Sequence, residues 1–275
     1  MKTKRIPLNG ALRLMLLAVV PAMCLSGCGR AGPVDADRPT ARLMFLCGAG
    51  LRPPMDGAGV QDEPGILERF RARHPQITME TTYGASNLLL GQLKLTGTAD
   101  LFFPGDDFYI EEAKKEGLVY TTRTVARFVP VIMVAVGNPL GIERVSDLAA
   151  PQVRLAVADR RAAAIGRIIP EIFEKNGIPF DTLNNIVFTG ITAPEVAQAV
   201  ALGHADATIT WRPVARQYPR NSTLIEIAPE DNVFSQLVIA VLENSADKEA
   251  GLKFANFLAG PEGREVFKRY HYDVE

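Results

Sequence analysis

Short hydrophobic runs alternate with amphipathic helical patterns from residue 42 onward, and this alternation limits the choice of fold most strongly. The β-rich runs predict eight strands, over residues 42–46, 77–83, 101–103, 129–136, 154–157, 186–188, 207–211 and 237–241. Helical periodicity between them predicts seven helices, over residues 66–73, 88–95, 108–116, 165–176, 194–202, 248–258 and 261–269. Strands alternating with helices are typical of mainly parallel sheets flanked by helices, so the predicted class is α/β.

Local signals mark the ends of several predicted helices. Asp107 and Asp247 directly precede two of them, where a carboxylate can accept hydrogen bonds from the first N–H groups. Gly177 and Gly203 follow two others, where a left-handed residue commonly ends a helix. The glycines and prolines of residues 53–64 predict a short helical start, a loop and then the helix 66–73.

The N-terminal residues predict a targeting sequence and not a folded element. Four basic residues precede the apolar run 14–20, and Leu25-Ser26-Gly27-Cys28 resembles a bacterial lipobox. This order predicts a signal peptide over residues 1–27 and a lipid on Cys28; the alternative is an ordinary secretory signal with an incidental cysteine. Residues 28–40 are polar with Gly and Pro, which predicts a flexible stalk. We expect a periplasmic or otherwise extracytoplasmic protein, held at a membrane only through this lipid.

Composition excludes several classes of function. The sequence has 30 basic and 31 acidic residues; residues 1–27 hold four of the basic ones and no acidic one, leaving 26 basic against 31 acidic. This acidic balance argues against nucleic-acid binding. One cysteine and three scattered histidines remain after the predicted signal and lipid site, so no zinc or iron–sulfur spacing is present and we expect no cofactor. No phosphate-binding or nucleophile-elbow motif occurs either.

The stretch LCGAGLRPP, residues 46–54, can be a ligand cradle, a reactive-thiol site or only a turn. A cysteine nucleophile needs a neighbouring base or a lowered pKa, and no histidine falls near another predicted strand end. A structural or ligand-contacting Cys47 is therefore preferred over a catalytic one. The adjacent pair Asp106-Asp107 is more typical of a helix start than of acid–base chemistry. We expect a protein that is not an enzyme.

Four predicted strands run into turns of small residues that precede helices. These turns lie at residues 47–50, 83–87, 162–166 and 189–193, two in each half of the chain. Helix N-termini offer N–H donors without partners, and ligands of open α/β sheets collect at the carboxyl ends of strands. The four turns together therefore predict an anion site between two lobes.

The same segments, in the same order, resemble a known family. They are residues 45–54, 83–88 with Gln92, 99–106, 130–134, 137–139, 147–149, 162–166, 203–207 and 257–263. Together they are similar to the periplasmic binding proteins of molybdate and tungstate ABC importers. The resemblance implies a monomeric, two-lobed protein of the type II periplasmic-binding-protein fold, which closes on a small inorganic oxyanion and delivers it to an ABC permease with its ATPase. The implied lobes are residues 41–126 plus 225–275 and residues 127–224, and the implied ligand is molybdate or tungstate.

The resemblance also implies the ligand contacts. Carried over position by position, they are Gly50, Ser86, Ile165, Thr192 or its neighbour Ala193, and Trp211. Gly50 stands where the family usually has a serine, and Trp211 where it has a tyrosine. An indole has one N–H donor with a different reach from a hydroxyl.

Further donors and other functions remain open at this point. Arg52, Asn87, Arg212 and Cys47 are secondary candidates for ligand contacts, and the alternative for the two arginines is solvated surface charge. The same fold would also suit a receptor that reports an anion to a sensor kinase, or a binding protein for another oxyanion.

Overall fold

The structure is a computed structural model and describes residues 41–58 and 63–274. The predicted signal peptide 1–27, the lipid site at Cys28 and the stalk 28–40 lie outside the described residues. Within the described ranges, no helix combines the length and the apolar character needed to cross a membrane.

The strands of the described chain, in order, are β1 (Ala41–Gly48), β2 (Ile77–Gly84), β3 (Leu101–Phe103), β4 (Val119–Phe128), β5 (Pro130–Ala135), β6 (Leu155–Ala158), β7 (Ile186–Gly190), β8 (Ala207–Trp211), β9 (Ser222–Glu226) and β10 (Ser235–Leu242). The α-helices are α1 (Arg52–Asp56), α2 (Ile66–Arg73), α3 (Ser86–Thr96), α4 (Phe108–Lys115), α5 (Ala164–Lys175), α6 (Ala193–Ala201), α7 (Arg212–Ala215), α8 (Lys248–Ala259) and α9 (Pro261–Arg269). Short 3-10 helices cover Ala49–Leu51, Val145–Ala149 and Phe180–Thr182.

The strands form two mixed sheets of five strands each. Their orders are β2-β1-β3-β10-β4 and β7-β6-β8-β5-β9, and we name the sheets, with the helices packed on them, lobe 1 and lobe 2. In lobe 1, β1 pairs in parallel with β2 and β3, whereas β10 is antiparallel to β3 and β4. In lobe 2, β6 pairs in parallel with β7 and β8, whereas β5 is antiparallel to β8 and β9. The predicted α/β class is confirmed, but the sheets are mixed and not mainly parallel as expected, because each has two parallel and two antiparallel pairings.

The chain passes between the sheets twice. Val129 alone separates β4 from β5, and residues 227–234 separate β9 from β10. The first predicted lobe limit, 126/127, falls in the last residues of β4, and the second, 224/225, falls inside β9. The lobe limits stay a prediction.

All eight predicted strands and seven predicted helices are present, and none of their predicted ends is wrong by more than two residues. The expected short helix after the first turn is α1, and Asp247 caps α8 by accepting a hydrogen bond from the Ala250 N–H at 2.8 Å. Gly177 and Gly203 have φ angles of +74° and +76°, as helix-ending glycines should. The prediction that Asp107 caps α4 is wrong, because its side chain makes no cap bond and Asp106 accepts from the Phe108 N–H instead.

The central strands of both sheets are completely buried. Every residue of β3, β6 and β8 is buried, as expected for strands covered by helices on both faces. In lobe 1 the rings of Phe45, Phe70 and Phe254 meet edge to face at 5.0 and 5.3 Å between centroids. Parallel pairing brings Gly48 of β1 level with Gly84 of β2, so two of the small-residue turns begin at one edge of lobe 1.

Candidate functional site

Four helix starts converge on one cavity between the lobes. Its walls come from Gly48, Ala49, Gly50, Leu51, Gly84, Ala85, Ser86, Gly105 and Phe128 of lobe 1 and from Ala163, Ala164, Ile165, Thr192, Ala193 and Trp211 of lobe 2. The cavity volume is about 20 Å³, whereas one water molecule needs roughly 10–15 Å³. It therefore suits a ligand of a few non-hydrogen atoms. No charged side chain belongs to these walls within the described chain.

Small residues are required because the two lobes approach closely at the cavity. A Cβ atom added to Gly48 would lie 3.2 Å from the backbone nitrogen of Gly105. A Cβ atom on Gly105 would lie 3.2 Å from the Cβ of Ala164, across the cleft. Both distances are tighter than ordinary van der Waals contacts. A larger side chain at Gly48 would therefore disturb the packing within lobe 1, and one at Gly105 would hold the lobes apart.

Three of the four helix starts have no side-chain cap. Gly48, Ala85 and Ala163 occupy the N-cap positions of the 3-10 helix 49–51, of α3 and of α5, and none makes a side-chain cap bond. The first N–H groups of a helix lack intrahelical acceptors, and Ser, Thr, Asp or Asn at the N-cap would normally satisfy one of them. Glycine and alanine leave these donors without a side-chain acceptor next to the cavity, at the positive ends of the helix dipoles, although the Asn87 N–H of α3 donates to the Ala162 carbonyl.

Ser86, the first residue of α3, is the hydroxyl best placed to donate into the cavity. It is 4% exposed, and its Oγ accepts a hydrogen bond from the Gly105 N–H at 3.1 Å. Because the oxygen already accepts this bond, the hydroxyl hydrogen is oriented away from Gly105. No acceptor for that hydrogen is found among the residues that the structure describes.

Thr192 lines the cavity but uses its side chain elsewhere. Its Oγ1 accepts from the Glu195 N–H at 3.3 Å and donates to Glu195 Oε1 at 3.0 Å. The other carboxylate oxygen of Glu195 accepts from the Ile191 N–H at 2.8 Å. Thr192 thus caps α6, and Glu195 binds both the Thr192 hydroxyl and the N–H of the preceding residue, so the fourth helix start offers the cavity backbone groups and not a free hydroxyl.

An aromatic stack closes one side of the cavity. Phe128 of lobe 1 lies parallel to Trp211 of lobe 2, with centroids 4.5 Å apart and 7° between the ring planes. A Cβ atom on Gly50 would lie 3.5 Å from each of these two rings. The carbonyl oxygen of Gly50 accepts a hydrogen bond from the Tyr272 hydroxyl at 2.8 Å, which turns the first loop toward the stack.

The structure thus brings the five primary candidates, Gly50, Ser86, Ile165, Thr192 and Trp211, to one cavity. Which of them contact a ligand stays a prediction. Ala49, Gly105, Phe128 and Ala164 also belong to the walls, although sequence reasoning did not single them out as site residues. No local sequence feature marks Gly105 as a wall residue, because its position in the cavity depends on the approach of α5 from the other lobe.

The secondary candidate Cys47 lies behind the wall. Its side chain is fully buried, and its Sγ lies 3.8 Å from the Gly48 carbonyl oxygen. Burial, followed by the negative charge of Asp56, raises the pKa of the Cys47 thiol well above its ordinary value. A protonated thiol is a weak nucleophile, so the environment of Cys47 disfavours covalent chemistry.

The two secondary arginines have carboxylate partners outside the cavity. Arg52 Nε lies 3.0 Å from Asp56 Oδ2, and its guanidinium lies 5.2 Å from the ring centroid of Tyr83. Arg212 donates to both carboxylate oxygens of Glu226, at 3.0 and 2.6 Å. Neither side chain lines the cavity.

Asn87 connects the lobes and does not line the cavity. Its backbone N–H donates to the Ala162 carbonyl at 3.1 Å, and its Nδ2 donates to the Arg161 carbonyl at 2.7 Å. Both acceptors lie just before α5, so these two bonds join the start of α3 to lobe 2 beside the cavity.

A metal site built from side chains does not accompany the cavity. Within residues 41–58 and 63–274, no group of three or more His, Cys, Asp or Glu side chains could hold a metal ion. The donors gathered at the cavity are N–H and O–H groups, which bind anions and not cations.

Comparison with solved structures places this cavity in a known fold. The chain is similar to the periplasmic molybdate-binding protein of Azotobacter vinelandii, with a TM-score of 0.71 and 15% identity over 85% of this chain and 99% of that one. It is also similar to a periplasmic binding protein of Actinobacillus pleuropneumoniae with fructose-6-phosphate bound, with a TM-score of 0.68 and 14% identity over 86% and 85% of the two chains. These likenesses confirm the predicted type II periplasmic-binding-protein fold.

Sequence comparison then gives the family. A protein of Haemophilus influenzae, provisionally named a binding protein, is 25% identical over 227 residues, which cover 82% of this chain and 89% of that protein. The profile of the bacterial extracellular solute-binding proteins matches residues 45–273, which include all the walls of the cavity and both sheets except for the first four residues of β1. The chain therefore belongs to the bacterial extracellular solute-binding proteins.

Proposed function

We propose that this protein captures a small tetrahedral oxyanion, molybdate or tungstate, in the cavity between its lobes. The observation that carries the proposal is the set of uncapped helix starts and the Ser86 hydroxyl around a cavity with no charged wall residue. Neutral N–H and O–H donors stabilise a dianion without the cost of desolvating a counter-charge. Capture requires no catalysis and no cofactor, in agreement with the buried, protonated Cys47.

The size and donor character of the cavity support an inorganic dianion over organic or protonated phosphates. About 20 Å³ is far below the roughly 300–1,000 Å³ of pockets that enclose drug-sized ligands, which argues against a sugar phosphate. Hydrogen phosphate carries an O–H group that needs an acceptor, and no carboxylate is among the wall residues described. Molybdate and tungstate carry no such hydrogen at neutral pH.

We further propose that the captured anion passes to an ABC permease driven by its ATPase. The family and the resemblance to molybdate and tungstate binding proteins support this role. The lipobox-like sequence that ends at Cys28 supports anchoring outside the cytoplasm by a lipid, and we propose that the protein acts there as a monomer. The two single-stretch crossings between the lobes suit a hinge, so closure on the anion would be the functional motion.

Calorimetry with a panel of anions tests the ligand. We expect the chain from Arg30 onward to bind molybdate and tungstate at least about tenfold, or about 1.4 kcal/mol, more tightly than sulfate or phosphate. Fructose-6-phosphate should give no binding heat because the cavity is too small. Absence of heat with both molybdate and tungstate would refute the assignment, and a preference for sulfate would retain the cavity but change its ligand.

Ligand binding should also change the intrinsic fluorescence of the protein. Trp211 is the one tryptophan of the sequence; it lines the cavity, and its ring stacks on Phe128. An anion beside the indole, or a movement of lobe 2 against lobe 1, would alter the environment of this ring. We expect a saturable emission change on titration with molybdate, which should be absent in Trp211→Phe. A wild-type spectrum that stays constant while calorimetry detects binding would place the ligand away from Trp211.

A further inference from the structure

A charged pair joins the two lobes directly beside the cavity. Arg167 on α5 of lobe 2 places an Nη atom 3.0 Å from Oδ2 of Asp106, which follows the wall residue Gly105 in lobe 1. The Asp106 side chain is 1% exposed and that of Arg167 is 29% exposed. Neither residue lines the cavity, and neither was predicted from the sequence to contact the ligand.

Two hydrogen bonds within lobe 1 orient the Asp106 side chain without any contact from lobe 2. Its Oδ1 accepts from the Phe108 N–H at 2.8 Å, and its Oδ2 accepts from the Ser235 hydroxyl at 2.5 Å. Only the bond from Arg167 requires the lobes to be closed. Closure therefore adds a cation to a carboxylate that is already oriented and buried, where charge attraction is stronger than in water.

Arg167 gains a second contact with lobe 1 in the closed state. Its guanidinium lies 5.0 Å from the ring centroid of Phe108, within the range of cation–π attraction. Its other Nη atom lies 2.6 Å from Glu171, one turn along α5, which holds the side chain extended toward lobe 1. Opening of the cleft would remove both lobe 1 contacts and keep the Glu171 contact.

Gly105, the residue before Asp106, links this pair to the cavity. The Ser235 hydroxyl oxygen lies 3.1 Å from the Gly105 carbonyl oxygen as well as 2.5 Å from Asp106. The Gly105 N–H in turn donates to Ser86 Oγ at 3.1 Å. The backbone next to Asp106 thus orients the hydroxyl proposed to meet the anion.

We propose that Asp106 and Arg167 are positioning residues, an ion pair across the cleft that stabilises the closed state and slows release of the bound anion. The inference rests on the proposed function, because closure around an anion is what the pair would stabilise. Removal of the pair should leave the cavity walls intact, so encounter with the anion should change little while escape becomes faster.

Stopped-flow fluorescence of Trp211 on the full chain tests this inference. Arg167→Met removes the charge and keeps an unbranched apolar side chain against Phe108. We expect the molybdate release rate to rise about tenfold and the association rate to change less than about twofold, as expected when one partner of a desolvated charge pair is removed. Arg167→Lys should restore part of the slow release because it restores the positive charge.

The matched control is Arg160→Met. Arg160 pairs with Asp181 at 3.3 Å, but both residues belong to lobe 2 and are exposed, so release should stay as in wild type. In the double variant Asp106→Asn with Arg167→Met, the molybdate release rate should rise by less than the product of the two single-variant increases, because both substitutions remove the same pair. Equal release rates for Arg167→Met and Arg160→Met, or multiplicative effects in the double variant, would overturn the inference.

Failure of the proposed function gives a different result. A wild-type chain that binds sulfate and not molybdate contradicts the proposed ligand, and the same variants with sulfate as the probe then decide the role of the ion pair. A wild-type chain that binds neither anion contradicts both proposals.

Discussion

Gly105→Leu is expected to abolish molybdate binding, with a loss of at least about a hundredfold, or about 3 kcal/mol, in calorimetry. The Cβ atom alone would lie 3.2 Å from the Cβ of Ala164 and 3.7 Å from Ser86 Oγ. The further three carbons of leucine have to enter a cavity of about 20 Å³ or hold α5 away from lobe 1. Either result removes donors from the anion, since the site needs both lobes in contact.

Gly91→Leu is the matched control for this substitution. Gly91 lies within α3, and a Cβ atom there would meet nothing within 4 Å. Leucine is also a better helix former than glycine, so thermal stability should rise slightly and molybdate affinity should stay unchanged. Wild-type affinity in Gly105→Leu, with the fold intact by circular dichroism, would show that the anion does not bind between Gly105 and α5.

Ser86→Ala should weaken molybdate binding by about 1 to 3 kcal/mol, because a hydrogen bond to a charged group is lost. In affinity this is about 5- to 150-fold. The hydroxyl is buried, so the loss should be larger than for the removal of an exposed donor. The Gly105 N–H also loses its acceptor, which should lower the stability of the free and the bound protein alike. Calorimetric titration of the variant with molybdate measures the loss of affinity directly.

Ser222→Ala provides the corresponding control. The Ser222 hydroxyl, in β9, donates to the Tyr218 carbonyl at 2.9 Å and does not line the cavity. This variant removes the same atoms from lobe 2, so its molybdate affinity should equal that of wild type. If Ser86→Ala binds as tightly as Ser222→Ala, the proposed position of the anion is wrong.

Strand prediction succeeded where hydrophobic runs are continuous and failed at two sheet edges. The central strands β3, β6 and β8 are buried throughout, so their sequences consist largely of apolar residues. The missed strands, β4 and β9, lie at the outer edges of the two sheets and are mostly half-buried or exposed. Polar residues such as Thr121 and Arg123 are compatible with an edge strand. They interrupt the hydrophobic run from which the other strands were predicted.

For the site as well, the sequence predicted the local features and not the contacts between residues that are distant along the chain. A turn of small residues after a strand is a local feature, and all four predicted turns meet at the cavity. The spare hydroxyl of Ser86 and the engaged hydroxyl of Thr192 are indistinguishable in the sequence, because Gly105 and Glu195 decide the difference. The predicted cap at Asp107 was wrong for the same reason: its neighbour Asp106 is turned inward to accept from Phe108 and to meet Arg167.

By itself the sequence determined the α/β class, the order of most strands and helices, and the small-residue turns from which the cavity is built, because these depend on hydrophobic periodicity and on local backbone preferences. The tertiary structure alone decided that each sheet is mixed, that Gly105 and Ala164 touch across the cleft, and that Asp106 pairs with Arg167. The ion pair joins residues 61 positions apart, and the antiparallel strand pairings and the Gly105–Ala164 contact also join distant parts of the chain, so no local preference encodes such contacts.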